Sequence, residues 1–131
     1  MDEVLGALTE WVAGQLGVPA DYGEFPGPAP CAMVKASPGD PWVYRYRSGG
    51  GMRRLPYEVY LKVPAATGEQ RLGGMGALKV LADAIAGGAG PEVGARVDAH
   101  EVRGLPSLYA EDAGMGSVYQ LLGELRYVIR S

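Results

Sequence analysis

The chain has 131 residues, 47% hydrophobic and 21% charged, which is the length of one domain with one core. Its 12 Lys+Arg against 15 Asp+Glu leave a formal charge of −3, so no bulk basic field is present to hold nucleic acid. One cysteine, Cys31, and one histidine, His100, exclude an internal disulfide, a cysteine metal cluster and a two-histidine metal site.

Residues Asp2 to Leu16 read as a helix. Val4, Leu5, Leu8, Trp11, Val12 and Leu16 recur at spacings of three and four and make one apolar stripe. Asp2 and Glu3 suit the positive end of the helix dipole, and Gly17 and Pro19 end the helix. The acidic Met1-Asp2-Glu3 start is unlike the basic start of a signal peptide. The apolar runs fall short of the ~20 residues a membrane span needs, and a reducing compartment with Cys31 as a small buried hydrophobe is expected.

Pro19 to Pro30 carries four prolines in 12 residues, with Gly23 and Gly27 among them, and reads as a loop without regular structure. A strand is expected at about Cys31 to Ser37, then a turn at Ser37-Pro38-Gly39-Asp40-Pro41. Trp42 to Ser48 alternates, with Trp42, Tyr44 and Tyr46 on one side and Val43, Arg45 and Arg47 on the other. Ser48-Gly49-Gly50-Gly51 is a hairpin tip, and a strand from about Arg53 to Val63 follows. Pro56 in that strand implies a sheet edge or a bulge.

A second helix is expected over about Glu69 to Ala86, opened by a Thr67/Gln70 capping box and stopped by Gly87-Gly88. Leu72, Met75, Leu78, Leu81, Ala82 and Ile85 form its stripe. A modest strand from Ala95 to Val102, with Val97 and Ala99 opposite Arg96, Asp98 and His100, leads into a loop from Arg103 to Gly116. A long strand from about Ser117 to Arg130 closes the chain. The order helix, three strands, helix, two strands predicts an α+β fold. Its antiparallel sheet has about five strands, with both helices on one face. The expectation is a single domain over 1–131 with a hairpin arm projecting at about 42–63.

Three features invite a chemical reading. Ser48 to Arg54 is glycine- and arginine-rich, but it joins two strands, opens no helix and lacks the Gly-Lys-Ser/Thr ending of a phosphate loop. His100, Ser107 and Ser117 sit in no Gly-x-Ser-x-Gly context, and Cys31 has no activating neighbour in sequence. No catalytic residue, cofactor or metal site is therefore expected. Arg45, Arg47, Arg53 and Arg54 instead mark an interaction arm for an acidic partner surface. Gly73, Gly74 and Gly76 each cost about 1 kcal/mol in a helix interior. Either another subunit's backbone comes close there, or the helix packs tightly on its own sheet. Glu111 and Asp112 read as solvated charge, or as the acidic patch that meets the arm in a neighbouring subunit.

Several stretches carry a family resemblance. They are Leu8-Thr9-Glu10-Trp11-Val12, Cys31-Ala32-Met33-Val34, Trp42-Val43-Tyr44-Arg45-Tyr46 and Tyr57-Glu58-Val59-Tyr60-Leu61. Leu78 and Leu81, Arg103-Gly104-Leu105-Pro106-Ser107-Leu108-Tyr109, and Val118-Tyr119-Gln120-Leu121 through Ile129 complete the set. In layout and length the chain resembles the tail terminator, or "minor capsid", proteins of long-tailed bacteriophages. The resemblance implies a structural protein without catalytic residues, in a homo-oligomeric and hexameric ring. Such a ring ends the tail tube protein's polymer and joins it to the head-tail connector protein. DNA passes through the lumen without sequence recognition, and the place is the virion neck, assembled in the host bacterial cytoplasm. The other reading is a small non-enzymatic binding or adaptor module with weak nucleic-acid binding through the basic hairpin.

Overall fold

The apolar stripe of the first segment folds as helix α1, Asp2–Leu16, with Val4, Leu5, Leu8 and Val12 buried. Thr9, also on the buried side, satisfies its hydroxyl by donating to the Leu5 carbonyl at 2.8 Å. Gly17 ends the helix in the left-handed region at φ 67°, with its amide donating to Ala13 O at 2.8 Å. The computed structural model describes residues 2–64, 68–112 and 116–130.

The proline-rich segment holds a strand that its composition hides. β1, Ala20–Tyr22, runs parallel to β2, Cys31–Ala36, from Ala20↔Ala32 to Tyr22↔Val34. Pro19 and Gly23 bracket these three residues, and both still serve the ladder. Ala32 donates to Pro19 O at 2.9 Å and Gly23 donates to Val34 O at 2.9 Å. Only Pro19 lacks a donor, and its part in the ladder is to accept.

β3, Trp42–Arg45, and β4, Gly51–Val63, form the expected hairpin, with β3 shorter than expected. The tip closes at Tyr46, which donates to Gly50 O at 2.7 Å and accepts from Gly49 N at 3.1 Å. The hairpin is no free arm. Every residue of β4 from Gly51 to Val63 is in register with β6, Gly116–Ile129, and β4 lies at the sheet centre. Pro56 is therefore in a central strand, but β2 ends opposite Tyr57 and β3 begins opposite Arg53. Pro56 O accepts from Ser37 N at 2.8 Å in that gap, so its missing donor falls where no strand stands.

Helix α2, Gly68–Ala86, ends at Gly87 and Gly88 as expected, while Thr67 lies outside the described residues. β5, Arg96–Asp112, replaces the expected short strand and loop. It pairs with β6 from Arg96↔Val128 to Asp112↔Gly116, with four register shifts along the way. Pro106 sits in one of them, between Gly104↔Leu122 and Ser107↔Gln120, on an edge strand that tolerates a lost donor.

The sheet has six strands in the order β1-β2-β4-β6-β5, with β3 added on β4. All pairings except β1–β2 are antiparallel. One face carries Leu55, Tyr57, Val59, Leu61 and Val63 of β4 and Tyr119, Leu121, Leu125 and Tyr127 of β6. Both helices pack there in one core, α1 through Leu8 and Val12 and α2 through Leu78, Leu81 and Ile85. Among the described residues, no helix covers the opposite face. The α+β class with helices on one face holds, with six strands where about five were expected.

Candidate interaction surfaces

The basic hairpin is built around Trp42. A bulge at Val43 makes Trp42 oppose Arg53 while Tyr44 opposes Met52. One extra residue thus turns Trp42 and Tyr44 to opposite faces, and the simple alternation of the sequence fails. Trp42 instead has two guanidiniums against its ring, Arg45 at 5.1 Å and Arg53 at 4.8 Å. Gly51 permits the close pairing, because a Cβ there would sit 2.3 Å from Tyr44 O. Tyr44 and Tyr46 contact each other at 5.2 Å between rings and are exposed, as is Arg47.

Arg54 does not belong to that group. It points to the helix-free face, where its Nε lies 3.6 Å from Glu124 Oε1. Glu124 is only 1% exposed, although no helix covers it. Arg103 Nη1 donates to its Oε1 at 2.5 Å and Arg126 Nε to its Oε2 at 2.8 Å. Arg126 also reaches Glu101 at 3.6 Å. Three guanidiniums thus surround one buried carboxylate, with a second at the margin, and the cluster keeps one positive charge in excess. Arginine stems supply the cover that a helix supplies on the other face. Sequence reading passed over Glu124. Its one local signal is a charge inside Leu121–Leu125 with Arg126 two residues on; Arg54 and Arg103 come from the flanking strands.

The same face carries a second polar group. Glu58 accepts from Ser37 Oγ at 2.8 Å and from the Tyr60 hydroxyl, which accepts from Gln120 Nε2 at 3.1 Å. Burial pushes the Glu58 carboxyl up, but the two hydrogen bonds and Lys35 outweigh it and hold it below 4.5. Burial and the bond to Glu58 push the Tyr60 hydroxyl up to about 12. Tyr109 packs edge-on against Tyr60 at 4.8 Å.

His100 is buried under the helices, although strict alternation puts it on the side of Arg96 and Asp98. A register shift between Val97 and Ala99 turns it to the core face, opposite Leu125. Nδ1 donates to Ala89 O at 2.7 Å, so Nε2 is the bare nitrogen that accepts from the Tyr57 hydroxyl at 2.5 Å. Trp11 packs on the ring at 5.4 Å. Burial lowers the His100 pKa and the Ala89 bond partly opposes this; burial also pushes the Tyr57 hydroxyl above its ordinary value.

The helix glycines divide. A Cβ on Gly74 would meet the Tyr119 ring at 2.9 Å and Val63 at 3.2 Å, so its close approach is to its own sheet, not to another subunit. Gly76 is exposed, with nothing within 4 Å of a Cβ. The surroundings of Gly73 lie outside the described residues, as do the side chains of Glu111 and Asp112. The latter two are placed by their backbone, Glu111↔Ser117 and Asp112↔Gly116, at the end of the β5–β6 hairpin rather than in a loop. The basic tip at Gly51 and this acidic end, near Val63, lie at opposite ends of a 13-residue β4. At about 3.3 Å per residue that is roughly 40 Å. The two patches cannot meet within one chain.

An open cleft of about 790 Å³ runs between Pro91–Val97 and Val128–Arg130. Among the described residues, no group of three or more His, Cys, Asp or Glu side chains is placed to hold a metal ion, and no helix is long and apolar enough to cross a membrane. No protein-family model matches the chain, and no curated protein matches it in sequence.

Proposed function

We propose that this chain is a structural protein of a phage or phage-like tail, forming a hexameric ring that ends the tail tube and joins it to the head connector. The observation that carries the reading is the polarity of the sheet. A basic, aromatic tip stands at one end of β4, and Glu111 and Asp112 stand at the other, about 40 Å away. A chain with unlike ends fits between two different neighbours along an axis, such as a tube and a connector. Closed cyclic rings also need unlike patches on each subunit. The element layout that underlies the family resemblance, a helix and hairpin followed by a helix and hairpin, agrees with this reading.

The test is genetic. Removing the gene from a particle that carries it should leave tails of uncontrolled length without heads. Tails of normal length on filled heads would overturn the proposal. The adaptor reading draws on the exposed Tyr44 and Tyr46 beside Arg45 and Arg47, which are suited to stack and neutralise a single strand. Salt-dependent binding of single-stranded DNA by the isolated chain, lost in Tyr46→Ala, would favour it.

A further inference from the structure

Near the hairpin tip the register brings four strands into one row. Tyr44 stands opposite Met52, Met52 opposite Val128, and Val128 opposite Arg96. Cross-strand partners share a face, and the buried Leu55 and Tyr57 take the core side of β4, so this row crosses the helix-free face. Tyr44 and Arg96 at its ends are exposed, and Met52 and Val128 between them are half-buried. The Tyr44 hydroxyl is pushed up, first by its hydrogen bond to Tyr46, and the charges of Asp98 and Arg96 also act on it across the row. Val128 and Arg96 line the open cleft as well, so the row runs into it beside Arg130. Four of the nine large hydrophobic side chains exposed among the described residues, Val43, Tyr44, Tyr46 and Val97, lie on these strand ends.

The same strand ends are basic with every acid counted. Over residues 42–53, 91–98 and 128–130, Arg45, Arg47, Arg53, Arg96 and Arg130 stand against Glu92 and Asp98. Asp40 precedes β3 and accepts from Trp42 N at the far end of that strand. Glu101 and Glu124 are met by Arg126 and Arg103 farther along the face and add nothing here.

This chemistry suits a protein segment better than a nucleic acid strand. The middle of the row is aliphatic, and flat rings for base stacking stand only at its Tyr44 end. Asp98 repels a backbone that carries a phosphate at every step. A peptide can place carboxylates only where arginines stand and an apolar side chain where Met52 and Val128 lie. Three strand spacings make the row about 14 Å long, which about four extended residues span.

We propose that this row and cleft hold a short acidic segment of a partner protein, with an apolar side chain on Met52 and Val128 and flanking carboxylates on Arg96, Arg130 and Arg47. The inference rests on the tail reading for the source of the segment, the tail tube protein, and adds the site that receives it.

Photo-cross-linking tests it on the intact chain. Benzoylphenylalanine replaces Val97, which is 37% exposed and lines the cleft, and the chain is irradiated with tail tubes present. Mass spectrometry should find an adduct with a tube-protein peptide of net negative charge, absent when the probe replaces exposed Val80 on α2. Arg96→Glu with Arg130→Glu should keep the parent's melting temperature and lower co-sedimentation with tubes roughly tenfold or more. Arg96→Lys with Arg130→Lys should keep most of it. An adduct on a neutral or basic peptide, or unchanged co-sedimentation of the Glu variant, overturns the proposal and leaves the tail reading standing. Salt-dependent binding of labelled oligothymidylate by the isolated chain, lost in the same Glu variant, makes the row a nucleic-acid track and overturns it too. A parent chain that does not sediment with tubes contradicts the tail reading itself, and the source assigned to the segment falls with it.

Discussion

Arg103 and Glu124 meet across the β5–β6 pair at 2.5 Å, one half-exposed and the other 1% exposed. The bond joins an edge strand to the helix-free face and organises Arg54 and Arg126 around the same carboxylate. Removing one partner of a buried ion pair leaves the other uncompensated, which costs several kcal/mol when both are sealed from water. The arginines here keep access to water, so Glu124→Gln should destabilise by about 2 kcal/mol. Arg103→Ala should cost less, about 1 kcal/mol or below, since Arg126 still serves the carboxylate. Urea unfolding at constant m-value checks both; an unchanged midpoint for Glu124→Gln would show that the cluster does not hold the face.

His100 makes stability depend on pH in a defined window. Its pKa in the folded chain lies below 6.5, because burial disfavours the charged ring. Between the folded value and 6.5 the unfolded chain binds more protons, so stability is full above the window and falls as pH drops through it. Glu58, held below 4.5, loses its contribution only at lower pH. Urea midpoints should therefore fall between about pH 7.5 and pH 5.5. In His100→Gln that slope should vanish. A slope that persists in the variant would assign the titration to another group.

Gly74 and Gly76 separate packing from propensity. Alanine at Gly76 meets open space and should gain about 0.5–1 kcal/mol from helix propensity. Alanine at Gly74 puts a methyl 2.9 Å from the Tyr119 ring. Overpacking of about 1–3 kcal/mol then exceeds the propensity gain, and the net change should be a loss. Thermal melts of the two variants should move in opposite directions.

These residues show what the sequence could and could not disclose. The helices and the β3–β4 hairpin were legible because their apolar periods are regular over many residues. The full length of β5 was not, because each register shift resets the alternation and Pro106 reads locally as a loop. β1 was hidden because three residues between Pro19 and Gly23 become a strand only beside β2. Of the three helical glycines, Gly74 marks a close approach and Gly76 meets open space, and only the position of Tyr119 shows that Gly74 faces inward. The Glu124 cluster draws its arginines from three strands, and no spacing along the chain brings them together.

The basic tip should act in docking rather than in folding. Arg47 is exposed and Arg45 stacks only on Trp42, so Arg45→Glu with Arg47→Glu should leave the unfolding midpoint within about 0.5 kcal/mol of the parent. Arg54 is unsuitable for this test because it borders Glu124. Pull-down with tail tubes should lose at least tenfold in binding, more steeply at low salt. Equal binding by the variant would remove the tip from the tube contact.

Electron microscopy of the purified chain mixed with tail tubes addresses the central claim most directly. The account expects six-fold rings seated on one end of each tube, with further tube subunits no longer adding there. Tubes with bare ends that continue to lengthen in the presence of excess protein would contradict it.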